Sequence, residues 1–538
     1  MTRPQHNFGY AYDQMTVATI LADKAARNGD RTFLTFLPDG RTFTYADLDT
    51  ITNRYANGLK ALGIGRGAHV AVWMANSPEM IFSIFALGKL GAVAVPLNTA
   101  VRGQLLTYYL THADISAIIA DADLIDRLPE CAADLPDVRH LIVHGEFADA
   151  APLPGAETSS LAAAAAGSPE APGVAVKASD LAYLMFTSGT TGPSKANMLA
   201  QSTAWSWGMS TSNSYGYRSD DRTHICLPLF HAAAMQCQTY ATIMADAQVC
   251  LTTKFSLSNY WDEVRQSGAT IIALLGSMAN WVWNQPPAAG DRDNDVRICN
   301  VTPMPRFGRA MEERFGLRVA SSYSLTDYAM STIFTPHDPV SKFGSAGRPR
   351  GGMEVRVVGE DDQPLPPGEV GEIALRSENP GGTSLGYYKR PEATLEAWRN
   401  LWFHTGDRGY LDDDGYLWFV DRKKDAIRRR GENISAYEVE QIIDGHDAVV
   451  QCAVYAAPSD AEDEVAVSVV LKEGFELSPQ EIVEHCARNM AHYMVPRYVE
   501  FRAELPVNPS LKVEKFKLRE HVAKNLGDFW DRLQDKPA

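Results

Sequence analysis

The chain has 538 residues, and single hydrophobic cores stop growing near roughly 250–300 residues, so we expect at least two domains. Hydrophobic residues make up 45% and charged residues 22%, which is typical of globular proteins and excludes a disordered or fibrous chain. The net charge of -16 argues against a general nucleic-acid binder and against a clamp for anionic membranes, because both need a basic surface.

The cysteines and the N-terminal residues indicate the cellular compartment of the protein. Seven cysteines lie far apart without a CxxC pair, a usage that suits a reducing compartment. The first residues, MTRPQHNFGYAYDQ, lack the apolar core of a signal peptide, and no later run approaches the roughly 20 apolar residues of a membrane span. We therefore expect a cytoplasmic protein without a membrane span.

Residues 45–92 show the pattern of helix, strand, helix. Residues 45–65 carry apolar residues at helical spacing, residues 68–75 form a short apolar run, and residues 77–92 begin with a serine cap and a proline. The same alternation returns in ADISAIIAD, THICLPL and GATIIALLGS. This pattern predicts an α/β fold with largely parallel, buried strands.

Three changes of composition follow along the chain. Between Ala151 and Asp180 the sequence turns to Ala, Pro, Gly and Ser, which predicts an exposed loop inside the large domain. From Gly344, alternating segments such as MEVRVVG and GEIALRS predict an antiparallel β subdomain. The last segment, about a hundred residues, alternates helix and strand on its own and predicts a small α+β domain. We place the two domains at 1–423 and 424–538.

Residues 185–197, MFTSGTTGPSKAN, form a candidate phosphate-binding loop after an apolar strand. Its glycines, hydroxyl residues and lysine could wrap a polyphosphate with backbone amides, hydroxyls and an ammonium. The order Gly192, Pro193, Ser194, Lys195 does not have the spacing of a Walker loop. Taken alone, the segment would equally suit a Gly/Ser/Thr surface turn.

The stretch TSGTTG followed by Lys195 resembles the signature of the adenylate-forming superfamily, which includes the acyl-CoA synthetases. Four later stretches resemble the same family in the same order: YSLTD at 323–327, HTGDRGYLDDDGYLWFVDRKKD at 404–425, RGENISAYEVE at 430–440 and LPVNPSLKVEKFKLR at 505–519. In its overall sequence the chain most resembles carnitine/crotonobetaine-CoA ligase-like enzymes. The resemblance implies a large N-terminal domain of α/β subdomains plus a β subdomain, followed by a small mobile C-terminal domain.

The implied reaction activates a carboxylic acid with ATP to an acyl-adenylate and then forms a thioester with CoA, with Mg²⁺ as cofactor. Catalysis of such a transfer rests mostly on positioning and charge neutralisation. Tyr323 would stack on adenine, Thr326 would reach the α-phosphate, and Asp327 would help to bind Mg²⁺. Asp407 would accept hydrogen bonds from the ribose hydroxyls, and Arg422 would also contact the ribose. The implied phosphate-binding residues are Thr187, Ser188, Gly189, Thr190, Thr191, Gly192 and Lys195.

Further roles are implied for the C-terminal segment. Lys512 would place a catalytic ammonium between the carboxylate and the α-phosphate, although by composition it also belongs to a basic, solvated tail. Lys424 stands at the hinge position, and Gly431 matches the glycine that lines the pantetheine tunnel. The run Arg428–Arg430 could meet the CoA phosphates or form a solvated turn.

The implied acyl pocket departs from the family pattern. Asn300 and Thr302 carry side chains where relatives commonly have glycine and alanine, so we expect a preference for short, compact or polar-substituted acids. His231 stands at the pocket edge, although a lone histidine beside apolar residues also suits a packed position. Four other residues surround this region and suggest an apolar pocket, or equally a part of the core. They are Trp205, Trp207, Met235 and Cys237.

Three functions are therefore open from the sequence. The first is an AMP-forming acid–CoA ligase that acts on a small-molecule carboxylic acid and could form a homodimer. The second is an adenylation enzyme that loads a separate carrier protein. The third is a non-catalytic relative that binds an acyl group or a nucleotide. Asn300 and Leu511, which stand where relatives commonly have glycine, suggest this function, and the retained Lys195, Asp407, Arg422 and Lys512 oppose it.

Overall fold

Apolar runs of the sequence form the inner strands of two large sheets in the computed structural model of the chain. The described residues are 9–147, 152–187, 193–283, 285–305, 307–422, 426–429, 432–459, 462–506, 513 and 515–534. The chain divides into two units, the first with Met1–Thr99, His112–Met185 and Ala196–Asp421, and the second with Ala100–Thr111, Phe186–Lys195 and Arg422–Ala538. No helix in the described part of the chain is long and apolar enough to cross a membrane.

A seven-stranded sheet contains the strands predicted from residues 68–75 and from ADISAIIAD. Its inner strands pair in parallel, with Val70 opposite both Ala94 and Ala117, and they are almost completely buried. Continuous apolar runs are the mark of such two-sided burial. In spatial order the strands are Glu157–Ser160, His140–His144, Ala117–Asp121, His69–Trp73, Val93–Pro96, Leu181–Thr187 and Lys195–Ala200.

The stretch rich in Ala, Pro, Gly and Ser is only partly a loop. It contributes the edge strand Glu157–Ser160 and the helical turn Leu161–Ala164, so the predicted loop is wrong over these residues. Leu161 is buried in the core, and a Cβ at Gly58 would lie 2.0 Å from the Ala164 carbonyl oxygen. The glycine therefore lets a long helix pack directly on this turn, which composition alone does not indicate.

The first unit also contains a nine-stranded sheet. Asn300 lies opposite Ala273 on one neighbouring strand and opposite Ala320 on the other, in a parallel arrangement. In spatial order the strands are Arg348–Pro349, Met330–Phe334, Val319–Ser324, Ile298–Thr302, Ile271–Leu275, Arg222–Ile225, Gln248–Leu251, Thr32–Phe36 and Thr42–Thr44. The antiparallel β subdomain predicted after Gly344 is confirmed as a four-stranded sheet. Its strands are Met353–Val358, Gly371–Ser377, Phe403–Leu411 and Leu417–Arg422.

Helices connect these strands in the order expected for an α/β fold, and their capping follows simple rules. Ser77 caps the helix Pro78–Leu90 by accepting a hydrogen bond from the Met80 amide, with proline in the first turn as predicted. The α-helices of the first unit are Val17–Asn28, Tyr45–Ala61, Pro78–Leu90, Leu161–Ala164, Gln201–Tyr215, Ala232–Ala234, Ala241–Met244, Tyr260–Ser267, Gly276–Trp283, Gly308–Phe315 and Pro391–Ala397. Met235–Tyr240 is a π-helical segment between two of them.

The second unit has its own core and the α+β composition expected for the end of the chain. Val454 and Val467 face each other in an antiparallel pair and are completely buried. The strands are Ala426–Arg429 with Glu432–Ser435, and Val449–Ala457, Glu464–Leu471, Tyr498–Phe501 and Trp530–Asp531. The helices are Gly103–His112, Ala436–Asp444, Pro479–Asn489 and Lys515–Lys524. The predicted α/β fold class, with a large and a small domain, is confirmed.

Glu438 is a buried carboxylate that fixes the position of Ser194 within the second unit. Its Oε1 accepts a hydrogen bond from the Ser194 amide at 2.7 Å and another from the Ser194 hydroxyl. Tyr108 donates to the Ser194 carbonyl oxygen at 2.8 Å, and the Tyr109 hydroxyl lies 3.2 Å from that of Ser194. Burial raises the pKa of Glu438 to about 7, against the opposing effect of the Ser194 amide. The folded chain therefore takes up a proton here more readily than the unfolded chain.

Stability should consequently fall as the pH rises from about 4.5 to about 7. Below this window Glu438 is protonated in both states, whereas above it the folded state must bury a charge that the unfolded state exposes to water. The substitution Glu438→Gln keeps an acceptor for Ser194 but cannot ionise. It should reduce the loss of unfolding free energy across this pH range by at most about 3 kcal/mol. Thermal unfolding midpoints measured as a function of pH check this.

Glu484→Gln is the matched control for this prediction, because Glu484 is an exposed residue on the helix Pro479–Asn489. That variant should keep the wild-type dependence of the midpoint on pH. A Glu438→Gln protein whose midpoint still falls like the wild type between these pH values would contradict the assignment.

Candidate active site

Only the two ends of the candidate phosphate loop lie within the described residues. Thr187 is the last residue of the strand Leu181–Thr187, and Lys195 is the first residue of Lys195–Ala200. Both side chains are partly exposed. The predicted phosphate-binding residues Ser188, Gly189, Thr190, Thr191 and Gly192 lie outside the described residues. Their assignment to the phosphates stays a prediction.

Tyr323 and Asp407, predicted to contact adenine and ribose, contact each other. The Tyr323 hydroxyl donates a hydrogen bond to Asp407 Oδ2 at 2.7 Å, and both residues are buried. Tyr323 comes from the strand Val319–Ser324, and Asp407 comes from Phe403–Leu411. The Thr405 hydroxyl accepts a hydrogen bond from the Asp407 amide at 3.1 Å, which helps to fix the backbone there. Two motifs that lie far apart in the sequence thus supply one tyrosine–carboxylate pair.

Thr326 and Asp327 follow the same strand and are held by residues for which the sequence predicted no role. Asn197 is completely buried, donates to the Thr326 carbonyl oxygen and accepts from the Ser384 hydroxyl. Tyr387 donates to Asp327 Oδ2 at 2.8 Å. Burial and the Asp327 carboxylate raise the pKa of Tyr387 well above its usual value, so Tyr387 is a neutral donor.

Asp327 can be tested as a Mg²⁺ ligand from this geometry. It is partly exposed, and one carboxylate oxygen receives the Tyr387 hydrogen bond. Among the described residues there is no group of three His, Cys, Asp or Glu side chains that could hold a metal ion by themselves. Mg²⁺ commonly binds through one or two carboxylates together with substrate phosphates, and Asp327 fits this mode.

Asn300 and Thr302 lie on the same side of the strand Ile298–Thr302. Both are partly exposed, whereas Cys299 and Val301, which alternate with them along the strand, are completely buried, as expected for alternating strand positions. Asn300 Oδ1 accepts a hydrogen bond from the buried Tyr215 hydroxyl at 3.2 Å. The predicted pocket floor therefore presents an amide and a hydroxyl in addition to apolar surface.

His231 stands directly before the helix Ala232–Ala234. Its amide donates to the Pro228 carbonyl oxygen at 3.0 Å, and its partly exposed ring packs against Phe230 at 4.5 Å between centroids. Of the four residues proposed around the pocket, three are buried in the main core and only Cys237 is partly exposed. The buried ones are Trp205, Trp207 and Met235. For these three, the core alternative is the correct one.

The remaining predicted sites lie in the C-terminal part of the chain. Lys424, Gly431, Lys512 and the Arg422 side chain lie outside the described residues. Arg429 is described and is 2% exposed, with Nε 2.6 Å from Glu464 Oε2 and Nη1 bonded to the Tyr493 and Val495 carbonyl oxygens. The suggestion that Arg429 meets the CoA phosphates is therefore wrong, because its guanidinium is committed to buried partners.

Sequence reasoning missed Asn197, Ser384 and Tyr387, which orient the Thr326–Asp327 segment. Asn197 carried a signal, since it is an amide within the apolar run ANMLA and a buried amide needs partners. Ser384 and Tyr387 carried no such signal. Their partners are distant in the chain, and only the folded chain shows the pairing.

Known proteins resemble the chain over most of its length, which confirms the resemblance seen in its motifs. The AMP-binding enzyme family matches residues 21–388, and the AMP-binding enzyme C-terminal domain matches residues 438–512. A crotonobetaine/carnitine–CoA ligase from Salmonella paratyphi B is 33% identical over 508 residues, covering 92% of this chain and 97% of the relative.

Two solved structures share the fold. A Mycobacterium tuberculosis fatty acyl CoA synthetase aligns with a TM-score of 0.69 at 29% identity, covering 95% of this chain and 99% of that one. A double mutant of o-succinylbenzoate CoA synthetase (MenE) from Bacillus subtilis aligns with a TM-score of 0.81 at 24% identity, covering 93% and 98%. Two domain matches in the expected order, and a full-length relative, establish that the chain belongs to the AMP-binding enzyme family.

Proposed function

We propose that the chain is an AMP-forming acid–CoA ligase, which activates a carboxylic acid as an acyl-adenylate and transfers the acyl group to CoA. The observation that carries the proposal is the Tyr323–Asp407 pair, a ring and a carboxylate held together by a 2.7 Å hydrogen bond. In a family that binds AMP, this pair suits the adenine ring and the ribose hydroxyls. The curated relative acts as a CoA ligase, which supports CoA as the acceptor.

In this proposal the protein acts by position and charge. The carboxylate attacks the α-phosphorus of ATP, an acid–phosphate bond forms, and pyrophosphate leaves. The thiol of CoA then attacks the acyl carbon, and AMP leaves with one of the original carboxylate oxygens. Thr326 would contact the α-phosphate, and Lys195 with the loop 187–192 would hold the departing phosphates. His231, Asn300 and Thr302 would line the acyl pocket.

Asp327 would hold Mg²⁺ together with the phosphate oxygens, and the ion would neutralise phosphate charge when bound. The Tyr387 hydrogen bond would keep the carboxylate directed toward this position. Arg422 would contact the ribose, and Gly431 would leave room for the pantetheine arm. The proposal also includes the cytoplasmic location and the homodimer expected from the sequence.

Release of pyrophosphate and AMP from a panel of carboxylic acids, measured with and without CoA, tests the function. A ligase releases both products through many turnovers only with CoA and accumulates acyl-CoA. A carrier-loading enzyme would exchange pyrophosphate with ATP but would form no acyl-CoA. A non-catalytic relative would release neither product with any acid.

The first prediction from the proposed function concerns the adenylate pocket. Asp407→Asn should raise the KM for ATP by about 10-fold or more, because an amide replaces the charged acceptor of both ribose hydroxyls. Tyr323→Phe keeps the ring and loses one neutral donor, so its effect should be about fivefold. ATP–pyrophosphate exchange at saturating acid measures both. A larger loss in Tyr323→Phe than in Asp407→Asn would contradict the assigned roles.

The second prediction concerns Lys512. Lys512→Ala should slow adenylate formation by about 100-fold or more, because nothing then offsets the repulsion between the carboxylate and the α-phosphate. Thioester formation from supplied acyl-adenylate should be largely unchanged. Lys517→Ala, in the same basic stretch, is the control and should leave both steps intact. Equal loss of both steps in Lys512→Ala would remove its assignment to the first step.

The third prediction concerns the proposed hinge. Lys424→Pro restricts φ to about -65° at this position. It should spare adenylate formation and slow thioester formation, because the second step is proposed to need a rotation about residue 424. Separate assays of pyrophosphate exchange and acyl-CoA formation check this. Acyl-CoA formation at the wild-type rate would show that residue 424 is no pivot.

A further inference from the structure

Arg350 is a buried guanidinium without a carboxylate partner among the described residues. It is 8% exposed, its Nε donates to the Met330 carbonyl oxygen, and its Nη1 lies 3.4 Å from the Gly351 carbonyl oxygen. A guanidinium has five N–H donors, so most of them lack an acceptor in the described part of the chain. Burial lowers the pKa of Arg350 to about 10, which leaves it charged at neutral pH.

The other buried cations of the chain show that this arrangement is unusual. Lys24 is paired with Asp246 at 2.5 Å, Lys89 with Asp49 at 2.6 Å and Arg429 with Glu464 at 2.6 Å. Each of the three cations is 1–2% exposed. Burying a charge without a counter-ion is costly, and natural chains normally avoid it. Of these four buried cations, Arg350 is the one without a carboxylate partner in the described part of the chain.

The surroundings of Arg350 connect it to the acyl pocket. Arg350 donates to the carbonyl oxygen of Met330, and Met330 belongs to one buried cluster with Tyr215. Tyr215 donates to Asn300, which lies on the predicted pocket floor. Cys237 belongs to the π-helical segment Met235–Tyr240, a form of helix that is frequent at functional sites. Tyr215 thus connects the residues around the buried charge with the predicted pocket floor.

We propose that Arg350 is a specificity-determining residue that receives a second, anionic oxygen group at the far end of the acyl substrate, so that the preferred acid is a dicarboxylate. This inference rests on the proposed ligase function. One carboxylate would be activated on ATP, and the other would form hydrogen bonds with the open N–H donors of Arg350. Arginine is suited to this because its planar donors match a carboxylate.

The proposal separates this chain from the relative named for crotonobetaine and carnitine. Those compounds carry a trimethylammonium group, which a buried guanidinium would repel. One third identity over the whole chain is compatible with this difference, because acyl specificity depends on a few pocket side chains.

The wild-type enzyme provides the first test. Acyl-CoA formation is measured for straight-chain dicarboxylic acids from succinate to suberate, each beside the monocarboxylic acid of equal chain length, and for carnitine. We expect at least one dicarboxylate to exceed its monocarboxylic partner in kcat/KM by about 100-fold or more. Equal values for the pairs, or a preference for carnitine, would overturn the proposal.

Variants then assign the preference to Arg350. Arg350→Met should remove the discrimination, mainly through the KM of the dicarboxylate, and leave the monocarboxylic acid within about threefold. Arg350→Lys should retain part of the preference, because the charge remains. Arg348→Met is the matched control, since Arg348 lies two residues away but is exposed. A loss in Arg350→Met that is equal for all acids would assign Arg350 a structural role and overturn the proposal.

A binding measurement separates this inference from the ligase function. If no acid yields AMP, the proposed function fails, yet calorimetric titration of the dicarboxylate with ATP present still compares wild type with Arg350→Met. Tighter binding to the wild type would uphold the role of Arg350. Equal binding to the two proteins would contradict the proposed role of Arg350.

Discussion

The candidate site depends on where the buried strands of the two large sheets end. Strands such as His69–Trp73 and Ile271–Leu275 are apolar and buried over most of their length, so a polar group inside them would need a partner within the protein. Thr187, Thr302 and Ser324 are the last residues of their strands, and the motif YSLTD continues directly from the third. Ligands bind outside the carboxyl ends of strands in open α/β sheets, and the candidate residues of this chain follow that rule.

Hydrogen bonds from tyrosine hydroxyls to carboxylates hold residues of the candidate site in place. Tyr323 donates to Asp407 and Tyr387 donates to Asp327, at 2.7 and 2.8 Å. Such bonds place the acceptors before a substrate arrives and reduce the reorganisation that the reaction needs. The buried Asn197 amide adds support at the Thr326 carbonyl oxygen. The geometry of the candidate site therefore depends in part on Asn197 and Tyr387, which have no chemical step in the proposed reaction.

The sequence predicts the strands, the fold class and the motifs, because each leaves a local pattern of apolar spacing or of glycines and hydroxyls. It does not predict which buried groups meet. Arg429 and Arg350 each have another arginine within two positions in the sequence, yet in the described part of the chain one reaches Glu464 and the other reaches carbonyl oxygens. Glu438 and Ser194 are 244 positions apart. Long-range pairing of this kind is set by the packing of whole elements, and no local signal carries it.

The oxygen atoms of the acid test the central claim most directly. An acid labelled with heavy oxygen in its carboxylate is incubated with ATP, CoA and the enzyme, and the products are analysed by mass spectrometry. An acyl-adenylate route transfers one labelled oxygen to AMP, because the carboxylate attacks the α-phosphorus and AMP later leaves with that oxygen. Heavy AMP beside unlabelled pyrophosphate is the predicted result. Label in inorganic phosphate with ADP as the nucleotide product, or unlabelled AMP, would contradict the account.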